Sequence, residues 1–512
     1  MYPLAYSLVP GATFQKISSI VQCGNHFQDL LARNLGDDFV LVKREEMMEL
    51  RHFIFARREL RDRIDVVTSS CEATGLGGIV GNKGGCAISF DIDDASFAFV
   101  TSHLAAHQDK SERRNEDVRD IMASLKLNRR NIDVSHAFRY LFWSGDLNYR
   151  LNWGNQGDAH SPTPEQFLAL RAKIDSGSKT DLQELFATDQ LAAAIRAGRV
   201  FRGGWMEGDC AAFAPTFKVA RQAGTTYKDQ RSPAWCDRVL WRVGQFPPLE
   251  ASRVGGVTAA EQEQDRALRA QFAPQLTAFT SAPAQATSDH KPVWASFVVP
   301  ILRLPLSTDF RLGALRVRFL SLCIEGLSTY SNPNPKDPLV KFHANFLEHI
   351  GETNSASSVV GGSNGAGGQV ASTPISASAS AASSPSSPTS AAGSSSSSPT
   401  FRWRESDLPL LHSQSNNPSK LRLTPLLLKV LTYTFEGSKI EKLVATAEVD
   451  LSAGGCAGGG AGAAGKPVEF RSELSFGGLG AGWISGRFVL EWMPHPVFGS
   501  QAPLTAEQVA SL

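Results

Sequence analysis

An excess of charge of either sign is missing from this sequence. The 512 residues include 51 lysines and arginines against 50 aspartates and glutamates, so the net charge is +1. This balance argues against a protein that binds nucleic acid through a broad basic surface. No apolar run approaches the roughly 20 residues that a bilayer-spanning helix needs. We expect a globular protein, which at this length contains two or three domains.

Cysteine is also scarce, and its spacing carries no motif. The seven cysteines are odd in number and contain no CxxC pair. This pattern favours a reducing compartment and argues against a disulfide framework or a zinc ribbon. The first residues lack an early basic region and a clear cleavage site, so no signal peptide is predicted. The sequence therefore predicts a cytoplasmic protein.

One segment divides the chain by its composition. Residues 350–400 are dominated by Ser, Ala and Gly and are almost without charge, which predicts disorder. Before it, residues 1–300 mix strand and helix patterns, which favours an α+β domain. From residue 312 onward, on both sides of this segment, short strand patterns predict a β-sandwich over residues 312–496. The segment is then a loop within the sandwich, and a tail follows at 497–512.

Polar residues gather where loops meet apolar strands in the first domain. GLGGIVGNKGG carries Asn82 and Lys83, and it suits either a flexible hairpin or an anion cradle, although it is not a Walker loop. TSHLAAH ends a strand pattern with His103 and His107, and each of these histidines can be either a structural or a catalytic residue. A helical zinc pair is not favoured there, because the preceding pattern is β and no HExxH glutamate is present.

Three further clusters follow along the chain. FWSGDLNYRL places Asp146 and Asn148 where an apolar run stops, which fits a solvated turn or a catalytic strand end. RSPAWCDRVLW contains Asp237, and its Cys236 is interpreted as a packing residue because no Gly-rich cradle follows it. SDHKPV places an Asp-His pair, with His290, just before another strand. Taken together, carboxylates, amides and histidines at strand ends indicate a Mg²⁺-assisted phosphoester hydrolase.

The order of these strings resembles a known family. GNKGG, SHLAAH, RRN, GDLNYR, DQL, PTFK, PAWCDR and SDHKPV look like the successive signatures of inositol polyphosphate 5-phosphatases, over Asp38 to Phe297. The resemblance implies a DNase I-like fold, a four-layer α/β/β/α sandwich. It implies removal of the 5-phosphate from phosphatidylinositol 4,5-bisphosphate or 3,4,5-trisphosphate, and from soluble inositol polyphosphates, at a peripheral membrane surface. A nuclease or sphingomyelinase of the same fold is a third reading, against which PAWCDR and the neutral charge speak.

The resemblance also implies roles for individual residues. Asp146 would position and deprotonate the attacking water, and Asn148 would hydrogen-bond the scissile phosphate. His290, oriented by Asp237, would contact the same phosphate, and His103 would line its pocket. Asp289 would lie beside Mg²⁺. The residues that would bind the rest of the substrate are Asn82, Lys83, Lys218, Lys228, Arg231 and Arg238.

Two departures from the family pattern bear on function. The usual lysine two residues before Arg231 is replaced by Asp229, with Lys228 one step earlier, which puts a 4-phosphate preference in doubt. The family's Gln-Glu strand, whose glutamate binds Mg²⁺, has no counterpart, since the first glutamate is Glu45. We expect a truncated gene model; the alternative is a phosphoinositide-binding or scaffold protein that lacks catalysis.

The second domain resembles a C2 domain over Leu312 to Pro494, through NPKDPLVKF and PTFRWRESDLPL. A C2 module beside a 5-phosphatase resembles the SH2-containing inositol phosphatases. Calcium binding is not expected, because the loop LTYTFEGSKIEK supplies glutamates and no aspartate. Packing against the first domain and docking on a lipid surface are equally open for this module.

Overall fold

The structure is a computed structural model, and it describes the parts of the chain that carry regular elements and their connections. The described residues are 17–48, 50–75, 81–93, 95–127, 133–153, 162–228, 231–244, 259–301, 314–344, 351–353, 357–359, 400–413, 426–433, 441–451 and 465–493.

The first domain combines seven helices with ten strands among these residues. The helices are α1 (Ile17–Leu35), α2 (Ser111–Ser124), α3 (Val134–Ala137), α4 (Pro164–Asp175), α5 (Lys179–Phe186), α6 (Gln190–Arg196) and α7 (Ala259–Phe272). The strands are β1 (Phe39–Met47), β2 (Leu50–Arg57), β3 (Ile64–Ala73), β4 (Gly84–Ile92), β5 (Ala95–His103), β6 (Tyr140–Asp146), β7 (Met206–Glu207), β8 (Asp237–Val243), β9 (Gln275–Ser281) and β10 (Val293–Val298).

A six-stranded sheet forms the centre of this domain. Its order is β3-β4-β5-β6-β8-β7, and β5 and β6 are parallel whereas the other neighbours are antiparallel. Successive side chains of a strand point to opposite faces, so apolar residues on both faces require cover on both sides. On one face, Val118 and Ile121 of α2 pack in one buried cluster with Ala98 and Val100 of β5.

Two hairpins cover the opposite face of the sheet. β1 pairs with β2 and β9 pairs with β10, both antiparallel. Their side chains close a second buried cluster, in which Phe97, Phe99 and Phe142 of the central sheet meet Phe297 of β10. The Phe99 and Phe142 rings stack 5.0 Å apart, and Phe297 lies edge-on to Phe142 at 5.1 Å. α1 contacts β1 of the first hairpin, and the predicted α/β/β/α fold is confirmed.

The second domain is a curled, all-antiparallel sheet of ten strands, which agrees with the predicted β fold. Its strands are β11 (Ala314–Glu325), β12 (Leu339–His343), β13 (Gly351–Glu352), β14 (Ser357–Val359), β15 (Thr400–Arg404), β16 (Leu410–His412), β17 (Leu426–Tyr433), β18 (Glu441–Val449), β19 (Val468–Phe476) and β20 (Leu479–Met493). The curl encloses one core, in which Phe319, Trp403, Phe470 and Phe488 are almost fully buried.

The two domains touch through α2, α3 and their flanking loops. His136 of α3 contacts Glu448 of β18 at 2.8 Å, and both side chains are largely buried. The backbone N–H of Gly478 donates to the carboxylate of Asp133 at 3.3 Å. Leu427 of β17 belongs to the same buried cluster as the residues of α2. The β domain therefore packs directly on the helical layer of the first domain.

β2 ends at Arg57, and a short 3-10 helix (Arg58–Arg63) follows it. The insert differs in part from its prediction. Within the predicted insert, β13 (Gly351–Glu352) and β14 (Ser357–Val359) are edge strands and Thr400 begins β15, whereas 354–356, 360–399 and the tail lie outside the described residues.

One pairing of cysteines was not predicted from the sequence. Cys71 and Cys86 form a disulfide, with a Cα–Cα distance of 4.1 Å. They are directly opposite each other in the β3–β4 hairpin register, which the spacing of 15 residues along the chain did not reveal. A single bridge within one hairpin is not a disulfide framework, and the cytoplasmic location stays a prediction. Among the helices of the described chain, none has the length and apolarity to cross a membrane.

Candidate active site

Three of the predicted site residues form one row across the central sheet. The register pairs His103, the last residue of β5, with Asp146, the last residue of β6, and Asp146 with Asp237, the first residue of β8. Neighbouring strands lie about 4.8 Å apart, so residues in register are brought within reach of one ligand. Residues far apart in the sequence thus meet because three strands end at the same edge.

Glycine is required beside this row. Gly145 has φ of +133°, and a Cβ added there would lie 2.1 Å from the carbonyl oxygen of Ser102 on the neighbouring strand. Any larger residue would push β6 away from β5. The glycine of GDLN therefore sets the distance between His103 and Asp146.

His290 and Asp237 form an ion pair at one end of the row. The Nδ1 atom of His290 lies 3.2 and 3.1 Å from the two carboxylate oxygens of Asp237, and the hydroxyl of Thr216 donates to the same carboxylate at 2.6 Å. Burial alone would lower the pKa of His290, but the carboxylates of Asp237 and Asp146 raise it to about 9. His290 is therefore a cation at neutral pH.

His103 has the opposite protonation state. Burial lowers the pKa of His103 to about 4, with Asp146 acting against this shift and Lys83 acting with it. Its Nε2 atom contacts the Nζ atom of Lys83 and lies 3.5 Å from the Oδ2 atom of Asp146. Two histidines with pKa values pushed apart around one carboxylate supply a neutral and a cationic imidazole to the same site.

Asp146 is the residue on which these contacts converge. It is 4 % exposed, and the Nε2 atom of His290 lies 3.9 Å from its Oδ2 atom. Burial acts to raise the pKa of Asp146, but the surrounding positive charges, with His290 the strongest, lower it below its usual value. The carboxylate is therefore ionised at neutral pH.

Asn148 stands in a tight turn immediately after the row. Its φ of +56° is left-handed, a conformation that asparagine tolerates better than most residues. Its backbone N–H donates to Asp146 Oδ1 at 3.0 Å, and its side-chain amide donates to Asp146 Oδ2 and to the carbonyl of Leu104, both at 3.1 Å. Arg150 donates to the Oδ1 atom of Asn148 at 2.6 Å. These bonds fix the carboxamide against the Asp146 carboxylate.

The donor set fits a hard divalent cation in part. In the described part of the chain, the ligand atoms of Asp146, Asp237 and His290 lie within 4.8 Å of one another. The two carboxylates are the ligands that such a cation prefers, whereas a protonated imidazole has no lone pair to offer. Asp289, the predicted metal neighbour, is outside this group and lies 3.3 Å from the Nζ atom of Lys218. Its place beside a metal stays a prediction.

The predicted substrate-binding residues fall into two sets. Lys83 contacts His103 directly, and Asn82 is exposed in the turn before it. Lys218 and Lys228 lie side by side on one folded segment, since the N–H of Lys228 donates to the carbonyl of Lys218 at 3.0 Å. Arg231 is exposed and lines a cleft of about 960 Å³. Asp229 lies outside the described residues.

The structure corrects the position expected for Arg238. Its guanidinium is fully buried and bonds both carboxylate oxygens of Asp189 at 3.0 Å and both of Glu207 at 2.6 Å. With every direction occupied by these acids, Arg238 does not face the cleft. It ties β8 to β7 and to the start of α6, which is a structural role.

Sequence reasoning also missed supports of the site. Arg114 of α2 is fully buried, and it donates to the carbonyls of Ala105 and His107 and to the side chain of Gln190. The same Gln190 oxygen accepts from the backbone N–H of Arg150 at 2.9 Å. The RRN and DQL strings therefore hold the segments that follow His103 and Asp146, a function that only the folded chain reveals.

Comparison with known proteins finds relatives for the first domain. Synaptojanin-1 of Rattus norvegicus is 33% identical over 269 residues, which are 52% of this chain and 16% of the relative. Phosphatidylinositol 3,4,5-trisphosphate 5-phosphatase 2B of Danio rerio is 28% identical over 291 residues, 54% of this chain and 20% of the relative. The chain therefore matches only a fraction of the length of these curated relatives. A solved inositol polyphosphate 5-phosphatase domain of Spsynaptojanin, in complex with inositol (1,4)-bisphosphate and calcium ion, is 27% identical with a TM-score of 0.41, covering 56% of this chain and 70% of its own.

A family model decides the membership of the chain. Residues 8–296 match the model described as Endonuclease/Exonuclease/phosphatase family 2, and this segment contains the entire row of site residues. Because the match spans more than half of the 512 residues, the chain belongs to the Endonuclease/Exonuclease/phosphatase family 2.

Proposed function

We propose that the first domain is a phosphatase that removes the 5-phosphate from phosphoinositides or inositol polyphosphates. The observation that carries the proposal is the row of His103, Asp146 and Asp237, with the His290 cation beside the Asp146 carboxylate. An ionised carboxylate next to cationic donors suits attack of water on an anionic phosphoryl group. The names of the relatives, a synaptojanin and a trisphosphate 5-phosphatase, support the same substrate class.

Each residue of the site has its own role in the proposed reaction. Asp146 orients the attacking water and accepts its proton, and Asn148 holds that carboxylate in place. His290 is protonated at neutral pH and donates to a phosphoryl oxygen, while Asp237 fixes its ring. Lys83 places a positive charge beside the neutral His103. Charge that develops on the phosphoryl oxygens thus meets donors that are already oriented.

A divalent cation, which we propose to be Mg²⁺, fits the carboxylates of Asp146 and Asp237. When bound, it supplies a Lewis acid that polarises the phosphoryl oxygen. The protonated His290 takes no part in holding it.

The proposal extends to substrate presentation. Phosphatidylinositol 4,5-bisphosphate and 3,4,5-trisphosphate are the lipid substrates that we propose, with the protein acting in the cytoplasm at a membrane surface. The β domain, which we propose to be C2-like, packs on the helical layer through His136 and Glu448. This contact supports a role in stabilising the first domain.

Phosphate release by purified chain tests the function. With Mg²⁺ and phosphatidylinositol 4,5-bisphosphate in mixed vesicles, we expect release that Asp146→Asn abolishes, because the amide cannot accept the proton of water. Asp62→Asn is the matched control. This aspartate is exposed in the 3-10 helix before β3, and the register places that end of β3 beside Ile92 and Ala95, at the edge of the sheet opposite to His103. Equal release by wild type and Asp146→Asn contradicts the proposal, and binding of the lipid without turnover supports a non-catalytic phosphoinositide-binding protein instead.

A further inference from the structure

The string PTFK ends in Lys218, which the family resemblance connects with the substrate, but the two residues before that lysine have no role so far. Both are buried: Thr216 has no exposed surface, and Phe217 is 4% exposed. Their backbone lies between the segments that precede β8 and β10, because isolated β-bridges join Phe217 to Ala234 and to His290. Thr216 and Phe217 are therefore neighbours of the proposed active site.

Thr216 shows how this segment supports the site. Its hydroxyl donates to Asp237 Oδ2 at 2.6 Å, and its carbonyl accepts from the backbone N–H of Lys291 at 2.9 Å. Lys291 directly follows His290 in the sequence. The segment thus fixes the carboxylate of the ion pair through a side chain, and it fixes the chain beside the imidazole through the backbone.

The ring of Phe217 contacts two side chains of the site. The guanidinium carbon of Arg150 lies over the ring, 4.2 Å from its centre. The ring of His290 lies 4.7 Å away, with the two planes inclined by 44°. Cation–π contacts extend to about 6 Å and are stronger where water is excluded. Since Arg150 is only 3% exposed, its contact with Phe217 is both short and desolvated.

The contact with Phe217 complements the hydrogen bonds of Arg150. The Nε atom of Arg150 donates to the carbonyl of Asn148 at 3.0 Å, and its Nη2 atom donates to the side-chain Oδ1 atom of Asn148 at 2.6 Å. Both acceptors are neutral amide oxygens. The negative face of an aromatic ring adds an electrostatic attraction to the same cation. The ring therefore helps to fix the guanidinium that in turn fixes the Asn148 carboxamide.

Apolar packing alone does not require a ring at this position. The apolar partners of Phe217 in its buried cluster are two small residues, Ala234 and Cys236. An aliphatic side chain of similar volume can fill the space beside them, but only an aromatic side chain presents a π face to a guanidinium. The electrostatics of the ring, rather than its volume, are thus the property to test.

We propose that Phe217 is a positioning residue, whose ring keeps the Arg150 guanidinium on the Asn148 carboxamide. The same ring packs against the imidazole of His290, so one side chain aligns residues that follow β6 and precede β10. The inference rests on the proposed function. It adds a residue that acts through Arg150 and His290 rather than on the phosphoryl group itself.

The test changes the electrostatics of the ring and keeps its shape. In the full chain, Phe217 is replaced by phenylalanine that carries one, two or three fluorine atoms on the ring. Each fluorine withdraws electron density from the ring face and weakens its attraction for a cation. With Mg²⁺ and phosphatidylinositol 4,5-bisphosphate, we expect kcat to fall stepwise with the number of fluorine atoms, by about tenfold for the trifluorinated ring. KM should stay within about twofold.

Two further sets of variants separate electrostatics from packing. Phe217→Leu keeps an apolar side chain but has no π face, so kcat should fall at least as far as with the trifluorinated ring. The control is the same fluorine series at Phe90 of β4, which is 3% exposed and packs against the rings of Phe97 and Phe99 at 5.6 and 5.8 Å. The register pairs Phe90 with Phe97, at the end of β5 away from His103, so this series should leave kcat unchanged.

NMR provides a second readout that does not need turnover. The Nε–H signal of Arg150 is assigned by its loss in Arg150→Lys, and it should move downfield in Phe217→Leu, because a ring shields the protons above its face. An unchanged signal overturns the inference.

The kinetic outcomes are equally decisive. A loss of kcat in Phe217→Leu without any trend in the fluorine series overturns the inference, because it assigns Phe217 a packing role. A rise of KM at constant kcat also overturns it, because it assigns the ring to substrate binding. Absence of turnover in wild type refutes the proposed function, and the NMR signal of Arg150 then decides whether the ring holds this guanidinium.

Discussion

Arg238 offers the sharpest quantitative test of how the site is built. Arg238→Met keeps the length of the side chain but removes its charge, which leaves Asp189 buried without its partner. Both side chains have no exposed surface, and Arg238 also holds Glu207, which is 14% exposed. Breaking one partner of a buried ion pair costs about 3–5 kcal/mol, because the remaining charge stays desolvated.

The change should be large in a melting experiment and small in a kinetic one. At about 2–4 °C per kcal/mol for a domain of this size, the melting temperature of the first domain should fall by about 6–20 °C. Since Arg238 does not face the cleft, KM for phosphatidylinositol 4,5-bisphosphate should stay within about twofold at a temperature where the variant is folded.

Matched variants separate burial from charge. Arg266 also makes a 2.6 Å bond to a glutamate, but its side chain is 75% exposed, so Arg266→Met should cost less than about 0.5 kcal/mol. Adding Asp189→Asn to Arg238→Met removes the stranded charge and should restore part of the loss. A variant that melts like wild type but has a KM raised about tenfold would refute this reasoning and return Arg238 to the substrate.

Three other predictions follow from single contacts. Gly145→Ala should prevent folding or strongly lower the soluble yield, since the added Cβ would lie 2.1 Å from a backbone oxygen. Gly177→Ala is the control: its Cβ meets open space, so it should lower the free energy of unfolding in urea by only about 1 kcal/mol. In metal-free protein, NMR titration should place the pKa of His290 near 9. The ion pair of His290 then stabilises the fold below pH 6.5, and this contribution is lost as the pH rises through 9. Asp237→Asn should lower the pKa of His290, and an unchanged pKa contradicts the assignment. Cys71→Ser should lower the free energy of unfolding, measured in urea without reductant, by about 3 kcal/mol, as expected for a loop closed over 15 residues. Equal urea midpoints for this variant and wild type would argue against the disulfide.

The row of His103, Asp146 and Asp237 was predictable because each member lies at the end of a strong strand pattern. His103 and Asp146 close apolar strands, and Asp237 opens one, so the sequence indicated three polar strand ends. What the sequence could not supply was the register. Only the pairing of β5, β6 and β8 shows that these ends are neighbours, and the parallel β5–β6 pair needs the intervening α2 crossover to form.

Contacts made by backbone atoms and by helices without motifs were not predictable. Arg171 reaches the cleft because the segment ending at Tyr227 folds back onto α4, and nothing in the string around Arg171 signals that contact. The Cys71–Cys86 disulfide depends in the same way on hairpin register. Arg238 was misassigned because an arginine next to a catalytic aspartate is equally compatible with a ligand and with a buried acid.

The short strings RRN and DQL are recognisable in the sequence, but their role is visible only in the folded chain. Neither string contains a residue that reaches the catalytic row, so their chemistry was not apparent from the sequence. In the folded chain, the hydroxyl of Tyr149 donates to Asn115 at 2.6 Å, while Arg114 and Arg150 share the side chain of Gln190. The left-handed turn at Asn148 is flanked on its C-terminal side by these bonds, which compensate for the unfavourable backbone conformation. The turn that carries Asn148 is thus held by residues that the sequence marked only as signatures, because positioning depends on the fold whereas acid–base chemistry depends on residue type.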